Sequence, residues 1–155
     1  MNLLCGPVYT DLQFTISQIA AAAGVALNRL KTLRFRGHVP FWDAEADAEE
    51  RSWRRYSLVD AALLSAQVAL MSDGLSAEAA CELVRDARAF LRTEQPGDVW
   101  AGIVRFENGE RRVGGTFADV LAATAAPSAD SASRAAFLVN LSHHLRRVRV
   151  ALEAK

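Results

Sequence analysis

Apolar residues recur at helical spacing from Phe14 onward, where Ile16, Ile19, Ala20 and Ala23 predict a short helix capped by Ser17 and ended by Gly24. A second helix follows at once. Leu27, Leu30 and Leu33 share one stripe, which leaves Asn28, Thr32 and Arg36 on the opposite side with Arg29 and Lys31 at the flanks. Gly37 stops that helix. Residues 39–42 and 53–56 then read as two short strands joined by a long acidic loop, residues 43–50. Beyond them the pattern gives a helix capped near Ser57, a turn at residues 72–74 and another helix starting at Ser76. The order is helix, helix, wing, helix, helix.

The breaker EQPGD, residues 94–98, marks a boundary between a module at 1–93 and one at 94–155. After it, Asn108-Gly109 predicts the turn of a β-hairpin flanked by Trp100, Ile103, Val104, Phe106, Val113 and Phe117. A hairpin alone is marginal in water, so it must pack on helices or on another subunit. FADVLAA reads as a short helix and TAAPSAD as a loose connector. A last helix is expected from Asp130 or Ser131, with Leu138, Leu141, Leu145, Val148 and Leu152 along one seam. That seam suits homodimerisation, or else it covers the hairpin of its own subunit. The polar side carries His143, His144, Arg146, Arg147 and Arg149, a solvated face or a contact for phosphate or an acidic partner. The fold class expected is mainly α with small β.

Composition narrows the function. Apolar residues make up 51% of the 155, enough to bury a core, while 18 basic residues balance 18 acidic ones and argue against a polycation-like grip on nucleic acid. The distribution is uneven: Arg29, Lys31, Arg34, Arg36, Arg51, Arg54 and Arg55 all lie between the second helix and the wing. Cys5 and Cys81 lack metal-type spacing, which fits reduced thiols and no zinc. No leader pattern and no apolar run near ~20 residues are evident, so a cytoplasmic protein with no membrane partner is expected.

No enzyme, metal site or cofactor is expected either. Asp43, Glu45, Asp47, Glu49 and Glu50 resemble a calcium loop only in charge, since the spacing and the internal Gly are missing. The three histidines have no acid or nucleophile at a motif-like distance, and His143 and His144 point in different directions on a helix. Trp42 and Trp53 suit packed strand positions, and His38 a helix exit.

Four short strings in order resemble the MerR family: FTISQIAAAAGV, LKTLRFRGHVPF, WRRYSLVD and LMSDGLSAEAACEL, covering roughly half the chain from Phe14 to about Val84. Excisionases and some phage terminase small subunits share the same winged helix. The family's Thr-Leu-Arg-Tyr-Tyr is set against Arg29-Leu30-Lys31-Thr32-Leu33, with neither tyrosine present. The resemblance implies a winged helix-turn-helix whose second helix enters the major groove of double-stranded DNA. On this reading Asn28 and Arg29 suit base edges, and Thr32 lies on the same face. Lys31 and Arg36 hold phosphates, Arg51, Arg54 and Arg55 contact the backbone or minor groove, and Tyr56 donates to phosphate or packs under the wing. The expected function is a homodimeric, sequence-specific transcriptional regulator of bacterial or phage origin. Two alternatives stand beside it: a phage DNA-packaging or recombination accessory protein, and an adaptor that has lost DNA and binds a protein through its acidic wing or C-terminal helix.

Overall fold

Apart from Asp60 and Gln67, residues 58–72 carry small or apolar side chains on every side of a helix, and such a helix has to be buried on nearly all sides. The computed structural model describes residue 11 and residues 13–41, 55–91, 97–124 and 133–154. In chain order these hold α1 (Ile16–Ala23), α2 (Leu27–Phe35), α3 (Leu58–Ser72), α4 (Ala77–Asp86) continued by a 3₁₀ turn (Ala87–Leu91), β1 (Trp100–Phe106), β2 (Gly109–Gly115), α5 (Phe117–Ala123), β3 (Ser133–Asn140) and α6 (Leu141–Glu153). The protein is a mixed α/β fold, helical with one small antiparallel sheet. None of the described helices is long and apolar enough to cross a membrane.

Helix α3 is the centre. One side of it, with Leu58, Ala61, Ala62 and Leu64, packs with Ile19 and Ala23 of α1, Leu30 and Leu33 of α2, and Val148 and Leu152 of α6. The other side, with Val59, Leu63, Ala66 and Leu70, packs with Leu83 and Val84 of α4 and with Ala101, Ile103 and Val139 of the sheet. Both clusters draw on residues from each side of the 94–98 breaker, so the two expected modules share their cores.

The sheet has strand order β2-β1-β3, antiparallel throughout, with Gly102 opposite Val113 on one side and Leu138 on the other. Ala101 and Ile103 face the helices. Gly102 lies on the opposite face, where a Cβ would come within 2.7 Å of Leu138 and 3.0 Å of Val120 on α5, so only glycine lets that helix approach.

Several expectations need correction. Thr15, not Ser17, caps α1, in a capping box with Gln18, because extended backbone at Thr15 places its hydroxyl over the helix start. Phe106 pairs with Gly109, so the hairpin link is Glu107-Asn108 and lies one residue earlier than expected. The last helix does not start at residue 130 or 131. Residues 133–140 form β3 because β1 offers a second edge to pair with, and α6 begins only where the Asn140 side chain accepts from the His143 N–H.

The seam is corrected in consequence. Leu138 sits in a strand, while Leu141, Val148 and Leu152 are buried in the chain's own two clusters and Leu145 packs against both. These residues cover their own subunit. Residues 39–41 carry no strand, and the remainder of the expected wing, residues 42–54 with Trp42, Trp53, Arg51, Arg54 and the acidic loop, lies outside the described residues, as do Cys5 and the connector at 125–130.

Candidate nucleic-acid interface

The face that α2 turns outward follows from its buried one. Leu30 and Leu33 are fixed in the core, and at 100° per residue this puts Asn28, Thr32 and Phe35 in one outward line. Lys31 lies along one flank, Arg29 and Arg36 along the other. All six are exposed. Arg36 is the C-cap rather than a helical residue. Thr32 spends its hydroxyl proton on the Asn28 carbonyl, 3.1 Å away, which leaves its lone pairs and methyl outward.

Both ends of this helix are held rigidly. At its start, Gly24 has φ +72°, and the N–H groups of Gly24 and Val25 return to the Ala21 and Ala20 carbonyls, a tight left-handed stop to α1. At its end, Gly37 repeats the device at φ +72°, with His38 donating to the Leu33 carbonyl at 2.8 Å. The chain leaving α2 is then tied down by polar groups from elsewhere, one of them the buried Gln67. Gln67 on α3 donates to the carbonyls of His38 at 2.7 Å and Ala77 at 3.3 Å, and Arg85 on α4 donates to the Val39 carbonyl at 3.0 Å. A helix pinned this way presents its outer face without reordering.

The cations of the protein divide into two groups. Several of those away from α2 are paired, Arg88 with buried Asp60 at 2.6 Å, Arg112 with Glu82, Asp86 and Glu110, and Arg149 with Glu153 at 2.8 Å, whereas Arg111 and Arg147 form no ion pair among the described residues. Arg146 grips Asp98 with both nitrogens at 2.8 and 3.0 Å, and that hydrogen bonding, with Asn140 adding to it, lowers the carboxyl to about 2. Arg29, Lys31, Arg34 and Arg36 form no ion pair among the described residues. Among the described residues, α2 and its C-cap thus bring together four cations that form no ion pair.

Arg55 is exposed at the edge of the described segment. Tyr56 is placed differently from the other expected contacts. It is 3% exposed, its ring lies 4.9 Å from that of Phe41 at a tilt of 53°, and its backbone forms an antiparallel bridge with Phe14. It packs inward, and it joins the segment returning from residue 54 to the start of α1.

Phe35 escaped the sequence reading because a stripe count sorts residues into buried leucines and polar partners, and it is neither. At 93% exposure it stands almost fully in solvent, although burying such a ring is worth roughly 1.5–3 kcal/mol. Also unpredicted is the buried His144, whose Nδ1 lies 2.8 Å from the Ser65 hydroxyl. Burial, followed by the charges of His143 and Arg147, pushes it down to about 4. It links α6 to α3, with no acid beside it. Burial likewise raises the Cys81 thiol. No group of three or more His, Cys, Asp or Glu that could hold a metal occurs among the described residues.

No protein-family model matches this chain, and no curated protein matches it.

Proposed function

We propose that this protein binds double-stranded DNA through α2 as a MerR-like winged helix-turn-helix, and that it acts as a sequence-specific transcriptional regulator. The observation that carries the reading is the outward face of α2: an amide, a hydroxyl and cations with no ion pair among the described residues, on a helix whose two ends are both fixed. An amide can meet adenine and a guanidinium guanine, and the remaining cations suit phosphates. The bridge between Tyr56 and Phe14 also supports it, since a wing must return to the first helix before α3 begins.

The chain resembles the family more closely in a second register, three residues along. Thr32-Leu33-Arg34-Phe35-Arg36 then stands against the family's Thr-Leu-Arg-Tyr-Tyr with three identities and an aromatic at the first tyrosine. In this register the solvent-facing ring of Phe35 is the counterpart of a family aromatic.

Self-association, if it doubles the site, uses a surface other than α6 on this proposal. Phe117 and Leu121, 47% and 54% exposed, are one turn apart on α5 and form the outward apolar pair most suited to a second copy. Genome-wide recovery of bound DNA tests the function. Discrete promoter sites are expected. A single phage end or attachment site would replace regulation by a packaging or recombination role, and no enrichment would leave a protein adaptor.

A further inference from the structure

Phe35 has no conventional hydrogen-bonding group, so what covers it gains chiefly from apolar contact with the ring. It is more exposed than Phe117, Leu121 or Val150, the other large apolar residues standing outward. Its neighbours define the cover. Asn28 and Thr32 lie in line with it, and Lys31 and Arg36 flank it, so the same partner has to meet an amide, a hydroxyl and positive charge together. A second copy of this face would set cation against cation. A polyanion with an apolar spot inside a polar groove fits instead, and in the DNA major groove that spot is the 5-methyl group of thymine.

We infer that Phe35 is a specificity-determining residue that packs its ring on a thymine methyl in the duplex bound by α2. The inference rests on the DNA-binding reading and adds a base identity to it. Helical rise gives the spacing: seven residues from Asn28 to Phe35 span about 10.5 Å, or about three base steps of 3.4 Å. The thymine thus lies no more than about three base pairs along the groove from the base that Asn28 meets.

The test starts from a duplex selected by the full chain out of a random-sequence pool. Each thymine in it is replaced in turn by deoxyuridine, which removes the methyl and leaves base pairing intact. At one position the wild-type protein should lose about four-fold in affinity, the worth of one buried methyl group. Phe35→Ala, folded by circular dichroism because the ring touches no core, should bind the thymine duplex at least four-fold more weakly and ignore uracil at that position. Indifference of the wild type to uracil at every position overturns the inference, as does a uracil effect that persists in Phe35→Ala. Failure of any duplex to be enriched would overturn the DNA-binding reading itself, and is distinguishable from both.

Discussion

Helices α2 and α6 look alike in sequence, each with a leucine stripe on one side and arginines on the other, yet the fold uses them differently. In α6 the stripe is consumed inside the chain, against α1, α3 and the sheet, and Arg146 and Arg149 are held by Asp98 and Glu153. In α2 the stripe is shorter, the cations have no partner among the described residues, and an aromatic ring stands in solvent. Pattern alone therefore does not separate a helix that builds the core from one proposed to meet a partner. What separates them is whether charge and apolar surface are already matched within the chain.

The largest effect that would break this comparison lies in α6. Leu141→Ala should cost about 2–5 kcal/mol, and Leu141→Asp should unfold the protein rather than yield a folded monomer, because the site is fully buried. Denaturant melts with sedimentation check this, and a folded, stable Leu141→Asp chain would show that α6 is not core.

Of similar size is the pair beneath α3. Asp60 accepts from the N–H and hydroxyl of Ser57 as well as from Arg88, so Arg88→Ala leaves a buried carboxylate short of a partner. A loss of about 3–5 kcal/mol is expected by urea unfolding. Arg146→Ala, at an exposed pair, should cost less than about 1 kcal/mol.

An intermediate effect concerns pH. His144, held at about 4 against an ordinary 6.5, stays neutral in the fold where the unfolded chain takes up a proton. Stability should thus be full above pH 6.5 and fall as pH drops toward 4, at no more than about 1.4 kcal/mol per unit. His144→Asn should flatten the profile in that window. Asp98 acts in a separate one: its lowered carboxyl contributes above pH 3.8, and that contribution is lost as pH falls toward 2.

The smallest effect on the fold and the sharpest on binding belong to α2. Arg29→Ala should leave the melting curve unchanged and reduce the preference for the selected duplex over random DNA by roughly 1–3 kcal/mol. Equal loss on both would remove Arg29 from the base edges.

The helices of the first half were legible because their signals are local. Gly24 and Gly37 stop helices at positive φ, Ser57 and Ser76 cap them, and leucines spaced by three mark the buried side of α2. The C-terminal part was harder for a definite reason. Leu138 lies three residues before Leu141, so a heptad count runs through the strand β3 as if it were helix. Only the free edge of β1, a property of the assembled sheet, reveals the pairing. The site divides the same way: the polar residues of α2 are visible from its stripe, whereas the burial of Tyr56 depends on Phe14 and Phe41, which the chain brings from either side.

On the proposed reading the cations of α2, unlike the ion-paired Arg146 and Arg149 of α6, meet a phosphate backbone. The most direct test of that reading is the salt dependence of binding to the selected duplex. Lys31→Ala/Arg36→Ala should reduce the slope of log affinity against log salt by about two units, one for each lost phosphate contact, while Arg146→Ala/Arg149→Ala leaves it unchanged. An unaltered slope in the α2 variant, or an equal fall in the α6 variant, would contradict it.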